Sequence, residues 1–274
     1  MTAEMVDTRV GRLHVEVEGD GPPAVLWHSL FVDSTTWSRM RPALRAERRL
    51  VVVDGPGHGR SGVPPAGFQF DDCAGAATDV LDALGVTSPV DWLGNAWGGH
   101  VGILLAACAP ERMRSLVTVA TPAHALTRAE RLKVVPMVAA YRLLGPISPL
   151  ANALIRILLG PDFVKTHPAE TRSVMRTFRD APKAGMLRAM QAVMLDRPSV
   201  EPLLERIEVP AMMIAPTHDP MLSVAQVRAA AAKLPHAVVV EVPAEGHVAP
   251  IIAQAERLSQ IVTDFWRHPS GRTR

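Results

Sequence analysis

The sequence predicts an α/β fold, a mostly parallel central sheet flanked by helices with an inserted helical cap, and three observations carry that prediction. Short apolar runs at Ala24–Trp27, Leu50–Val53, Val90–Leu93 and Arg114–Val119 alternate with helical stripes, as strands joined by crossover helices do. Leu50-Val51-Val52-Val53 is β-branched after its first residue, the composition of a central parallel strand covered on both faces. From Thr121 the rhythm stops, and no comparable strand returns until Ala211–Ala215. The intervening residues carry stripes at helical spacing, such as Leu150, Leu154, Ile157, Leu158 and Met186, Met190, Val193, Met194, interrupted by prolines. The expected organisation is a core over 1–121, a helical cap over 122–202 and the rest of the core over 203–274.

Taken in order, Arg9–Val17 alternates polar and apolar residues and predicts an amphipathic edge strand. Gly19–Pro23 is a turn, and Ala24–Trp27 a buried strand running into His28-Ser29-Leu30-Phe31. Ser34 or Thr35 caps a helix carrying Trp37, Met40 and Leu44. Asp54–Gly62 makes a tight loop, and a helix from Asp71-Asp72 closes at Gly85. The strand Val90–Leu93 and the helix Trp97–Ala109 follow. Beyond the cap come a strand at Ala211–Ala215, a helix at Ser223–Leu234, a strand at Ala237–Val242 and a helix at Ile251–Trp266, then a polar tail from His268 expected to fray.

A chain of 274 residues buries a large core and suits one domain with an insertion. Its composition, 48% hydrophobic and 20% charged, is that of a soluble globular protein, and a formal charge of +2 gives no nucleic-acid footprint. Cys73 and Cys108 are too few and too far apart for a disulfide framework. No set of His, Cys, Asp and Glu has metal-ligand spacing, so neither metal nor cofactor is expected. Met1–Asp7 is acidic and lacks the basic and apolar regions of a signal peptide, and no run reaches 18 apolar residues. The expectation is a cytoplasmic protein without a transmembrane segment, with peripheral membrane contact and homodimerisation left open.

The chemistry centres on Asp91-Trp92-Leu93-Gly94-Asn95-Ala96-Trp97-Gly98-Gly99-His100-Val101-Gly102. Gly94 and Gly98 stand two residues either side of Ala96, the spacing of a nucleophile elbow, where a strand turns abruptly into a helix. The chemistry of such a turn wants Ser, Cys or Asp at its centre, and alanine attacks nothing. Asp219, in Thr217-His218-Asp219-Pro220, is either a turn residue or the partner of His247. His247, in Glu245-Gly246-His247, is either a surface loop residue or a base oriented by Asp219. The order elbow, Asp, His is the one expected of this architecture. The backbone N–H groups of Leu30 and Trp97 are candidate oxyanion donors and need no particular side chain. His28, Ser29, Phe31, His124, Tyr141 and Val248 are candidate pocket residues. His58 reads as structural, holding its loop against the elbow strand, His100 as a core or rim residue and His218 as a rim residue.

With these residues the chain resembles the α/β-hydrolase superfamily over essentially its whole length. The elbow matches Gly-x-nucleophile-x-Gly-Gly except at the nucleophile, and Asp54–Gly62 is similar to the family's Asp-x-x-Gly-His-Gly-x-Ser loop. His28 resembles the histidine that opens the oxyanion loop, with Ser29 where glycine is usual, while Asp219 and His247 match the remaining triad members. In an active relative the side chain at position 96 would attack an acyl carbon, with His247 as base and Asp219 orienting it. Epoxide hydrolases use two cap tyrosines, whereas this chain has one tyrosine, Tyr141. Carbon–carbon bond hydrolases carry Asn before the serine, as Asn95 does, but place Trp after the histidine, where Val248 stands. A carboxylic ester or lactone hydrolase acting on a small molecule with an apolar part is the least committed fit.

Ala96 then admits several readings. The first is a serine hydrolase whose nucleophile has been replaced, giving an inactive variant. The second is a natural non-hydrolytic enzyme that uses His247 as general base. The third is a ligand-binding pseudoenzyme of the same fold. A carbon–carbon bond hydrolase, or a dehalogenase-like enzyme that has lost an aspartate, is less favoured.

Overall fold

Residues 1–269 are described by the structure, a computed structural model. Thr2–Thr8 (β1) and Gly11–Glu18 (β2) pair antiparallel through a two-residue turn at Arg9-Val10. β1 is mostly exposed, with only Val6 buried, and so lacks the apolar stripe that marks the other strands. The expected edge strand is therefore β2, second in the sheet and buried at Leu13–Val15, while β1 forms the edge.

Pro23–Trp27 (β3), Arg49–Val53 (β4), Val90–Asn95 (β5), Met113–Val119 (β6), Ala211–His218 (β7) and Ala237–Glu245 (β8) complete an eight-stranded sheet in the order β1-β2-β4-β3-β5-β6-β7-β8. β2 meets β4 antiparallel, and every pairing from β4 to β8 is parallel. β4 lies between two strands, which is why its β-branched run is buried from Leu50 to Val53. Each fully buried aliphatic side chain there contributes roughly 1.5–3 kcal/mol relative to exposure.

The expected helix over Ser34–Leu44 is two short pieces, a 3-10 turn at Ser34–Trp37 and α1 at Arg41–Leu44. Asp33, not Ser34 or Thr35, caps the first, accepting from Thr35 N–H at 3.0 Å. Pro42 has no N–H with which to continue one helix through both. Asp72–Ala83 (α2) and Trp97–Cys108 (α3) follow, the latter buried on all sides as far as Ala107.

Between β6 and β7 stands the helical cap: α4 (Arg128–Leu144), α5 (Ser148–Leu159), α6 (Pro161–Thr166), α7 (Pro168–Asp180), α8 (Lys183–Ala189) and a π-helical turn at Met190–Leu195. A capping box opens α4: Thr127 Oγ1 accepts from Glu130 N–H at 3.2 Å, and Glu130 Oε2 accepts from Thr127 N–H at 2.7 Å. The chain returns through α9 (Glu201–Leu204) to β7, α10 (Val224–Ala231) and β8. The expected final helix is broken at Gln254 into α11 (Ala249–Ala253) and α12 (Ala255–Arg267); Gln254 leaves helical dihedrals (φ −112°, ψ 27°). The tail expected to fray from His268 falls, beyond Pro269, outside the described residues. Cys73 is buried and Cys108 exposed, both as free thiols, and no described helix is long and apolar enough to cross a membrane.

Candidate active site

The turn from β5 into α3 is built by close approach. A Cβ on Gly94 would lie 2.1 Å from the carbonyl carbon of Gly98, and one on Gly98 would lie 1.9 Å from the Trp27 carbonyl oxygen. Helix and strands therefore meet backbone to backbone, and only glycine fits. Ala96 sits between them at φ 48°, ψ −102°, a conformation that disfavours any side chain by about 1–3 kcal/mol. Neighbours hold it there: its N–H donates to Val119 O at 2.8 Å, and its carbonyl accepts from His100 N–H at 3.0 Å. Trp27, Trp92 and Trp97 pack beneath the turn, with ring centroids 6.1 and 6.0 Å apart.

The loop after β8 carries His247 to the same place. Its Nδ1–H donates to Asp219 Oδ2 at 2.7 Å, and the Asp219 side chain is fully buried. Asp219 Oδ1 also accepts from Met221 N–H at 2.8 Å, so Asp219 both partners the imidazole and caps its own turn. With Nδ1 committed, Nε2 is the free nitrogen of His247, and it has no protein partner among the described residues. The loop is fixed from both sides. Asn95 Nδ2 donates to the His247 carbonyl at 3.1 Å, and His247 N–H and Val248 N–H donate to Ile157 O and Leu158 O at 3.2 and 2.7 Å.

Leu30 and Trp97 line the cavity above Ala96, and their N–H groups donate to no protein acceptor among the described residues. Two histidines hold the loop that presents Leu30. His28 Nδ1–H donates to Ser29 O at 2.6 Å while its Nε2 accepts from Gly55 N–H at 2.8 Å. His58 Nδ1–H donates to Pro56 O at 3.0 Å while its Nε2 accepts from Phe31 N–H at 3.2 Å. Phe31 itself lies at φ 74°. Both rings must be neutral to accept as they do, and burial lowers both pKa values, that of His58 to about 3. His58 therefore braces the Leu30 loop, where the sequence had it holding its own loop against the elbow strand.

The cavity holds about 330 Å³ between the sheet and the cap, with walls such as Leu126, Met137, Leu154 and Val193. Of the candidate pocket residues, Ser29 and Phe31 line it. His28, Tyr141 and Val248 do not: each is fully buried, His28 bonded on both nitrogens and Tyr141 packed on Phe178. His124 is half-buried beside Glu130, off the cavity wall, and His218 is exposed. His100 lines the cavity instead, donating Nε2–H to Pro122 O at 2.6 Å and leaving Nδ1 buried without a partner. Burial, then the nearby Arg197 charge, holds its pKa well below the usual histidine range. Glu130, Lys133 and Arg197 also reach the cavity, none of them anticipated. Arg197 stands between Asp196 and Pro198 with no sequence pattern that signals burial, yet only 7% of it is exposed. Among the described residues no cluster of three or more His, Cys, Asp and Glu could hold a metal ion.

Residues 22–253 match the model of a family described as alpha/beta hydrolase fold. The chain is 26% identical over 260 residues to a pimeloyl-[acyl-carrier protein] methyl ester esterase of Xanthomonas oryzae pv. oryzae, covering 92% of this chain and 98% of the relative. Among solved structures it is similar to the enol-lactonase of Burkholderia xenovorans LB400, with a TM-score of 0.87 at 26% identity, covering 94% of this chain and 97% of the other. A thermophilic esterase from Thermogutta terrifontis shares the fold, with a TM-score of 0.89 at 24% identity, covering 98% and 100% of the two chains.

Proposed function

The chain belongs to the α/β-hydrolase family, and on that premise we propose that its cavity is an acyl-binding site of the serine-esterase or lactonase type, complete except for the nucleophilic oxygen at Ala96. The observation that carries this reading is the His247–Asp219 bond of 2.7 Å, with the free imidazole nitrogen left to a cavity that Ala96 also lines. Strain at φ 48° on a residue with no reactive group fits a turn built for a nucleophile. Relatives that act on a methyl ester and an enol-lactone support an ester or lactone as the ligand.

With serine at position 96, Oγ would attack the acyl carbon while His247 Nε2 takes its proton. The carbonyl oxygen would gather negative charge against the N–H groups of Leu30 and Trp97, whose worth in such a site is about 3–4 kcal/mol per donor. Collapse would expel the alkoxide, protonated by His247, and water deprotonated by the same nitrogen would release the acid. With alanine the first bond cannot form, and the chain binds the ester without acylating itself.

The test is Ala96→Ser assayed on p-nitrophenyl esters and lactones. Turnover that appears in Ala96→Ser and disappears again in Ala96→Ser/His247→Ala supports the reading. No turnover in Ala96→Ser, with ligand binding retained, sinks it. The unpartnered Nε2 of His247 favours a second reading, general-base chemistry without a covalent intermediate. Turnover by the Ala96 protein itself, lost in His247→Ala, selects it.

A further inference from the structure

Two arginines of this protein are almost equally buried and differ in their partners. Arg48, 6% exposed, donates through Nε to Asp91 at 2.8 Å. Arg197, 7% exposed, forms no ion pair among the described residues. Its Nη2 donates to His124 O at 2.7 Å and its Nη1 to Pro198 O at 3.4 Å, which occupies two of five N–H donors. Removing a guanidinium from water without a paired carboxylate is strongly unfavourable, so the fold holds an unpaired buried charge at this point. Burial lowers its pKa to about 10, which still leaves it protonated at neutral pH.

Arg197 lies on the wall of the same cavity as Ala96, His247 and the Leu30 and Trp97 donors. It lies two residues beyond the π-helical turn Met190–Leu195, a widening of the helix frequent at functional sites. Val193 and Met194 from that turn reach the cavity beside it. Glu130 acts on Arg197 through space without pairing, being engaged by Thr127 and His124. Lys133, one turn further along α4, places a second cation on the cavity wall.

We propose that the acyl ligand of this cavity carries a free carboxylate, which pairs with Arg197 while its ester or lactone carbonyl lies at Ala96. This rests on the acyl-site reading above and narrows the substrate class to half-esters of dicarboxylic acids and lactone acids. The planar guanidinium fork takes a carboxylate through two parallel bonds, and the apolar wall suits a short methylene chain between the two ends. A neutral ester of the same length leaves the charge uncompensated.

The experiment is calorimetric titration of the Ala96 protein, which leaves esters uncleaved, with the monomethyl and dimethyl esters of glutarate and adipate. The expected result is half-ester binding at least ~10-fold tighter than the diester, a ratio that shrinks with added salt. In Arg197→Gln the ratio falls to about one, and in Arg197→Lys part of it survives. Equal affinity for half-ester and diester in the unsubstituted protein overturns the carboxylate assignment and leaves the acyl site standing. A preference that persists in Arg197→Gln overturns it as well. Failure of both ester classes to bind, together with inactive Ala96→Ser, removes the acyl site itself. If Arg197→Gln does not fold, Arg197→Lys and Lys133→Gln take its place: a preference weakened in the first and kept in the second supports the assignment, and one lost in Lys133→Gln alone overturns it.

Discussion

The side-chain amide of Asn95 donates to the backbone carbonyl of His247 at 3.1 Å, joining the residue before the elbow to the loop that carries the imidazole. The same Nδ2 donates to Val119 O at 3.1 Å, so one amide ties β5, β6 and the His247 loop together. In the Ala96→Ser background, Asn95→Ala is expected to lower kcat by roughly 10- to 100-fold, with KM little changed, because a base displaced by about 1 Å loses that much. The variant should also lose about 1–3 kcal/mol of stability from the His247 carbonyl left without its donor, while Val119 O keeps the Ala96 N–H. Steady-state kinetics beside urea unfolding separates the two effects; an unchanged kcat would contradict the positioning role.

Gly98→Ala tests the elbow itself. Alanine in an exposed helix is favoured over glycine by about 1 kcal/mol, so propensity alone predicts stabilisation. Here the added Cβ meets the Trp27 carbonyl oxygen at 1.9 Å, and α3 must move off β3. Destabilisation of about 3 kcal/mol or more is expected, read as a lower urea midpoint. A midpoint that rises would mean that the helix and strand are not in backbone contact.

Acid should unfold this protein through histidines that the fold keeps neutral. His28, His58 and His100 are each shifted below 6.5 by burial, His58 to about 3. Below 6.5 the unfolded chain takes up their protons first, so their contribution is intact above that pH and is lost progressively towards about 3. The slope is about 1.4 kcal/mol per pH unit for each histidine. Burial works against Asp54, but the N–H groups of Arg60 and Ser34 that donate to its carboxylate hold it below its ordinary 3.8, and it adds a loss in the same direction as pH falls through that lower range. Urea midpoints should stay level from about pH 7.5 to about pH 6.5 and fall steadily from there to about pH 5; a profile flat throughout would falsify this account.

What was legible in the sequence was whatever is encoded by spacing. Gly94 and Gly98 around position 96, the order of Asp219 and His247, and the β-branched run at Leu50–Val53 each reflect a local geometric demand, and the structure places them accordingly. β1 was missed because an edge strand exposed on both faces has no apolar alternation to read. The two pieces at Ser34–Trp37 and Arg41–Leu44 read as one helix because an apolar stripe survives a change of helix type. Tyr141 and Val248 were expected at the cavity and lie in the core, a distinction that depends on side-chain direction rather than on sequence position. Arg197 was invisible because its hydrogen-bond partner, the His124 carbonyl, lies 73 residues away in the chain.

The bonds from His247 N–H and Val248 N–H to the last carbonyls of α5 have a thermodynamic consequence. Leu154, Ile157 and Leu158 of that helix line the cavity, while Ile157 and Leu158 also hold the backbone of the His247 loop. Any molecule that draws α5 inward therefore carries the imidazole with it. Under the acyl-site proposal, recognition and proton transfer are then linked through one helix end, and exchanging the cap for another would reset both together.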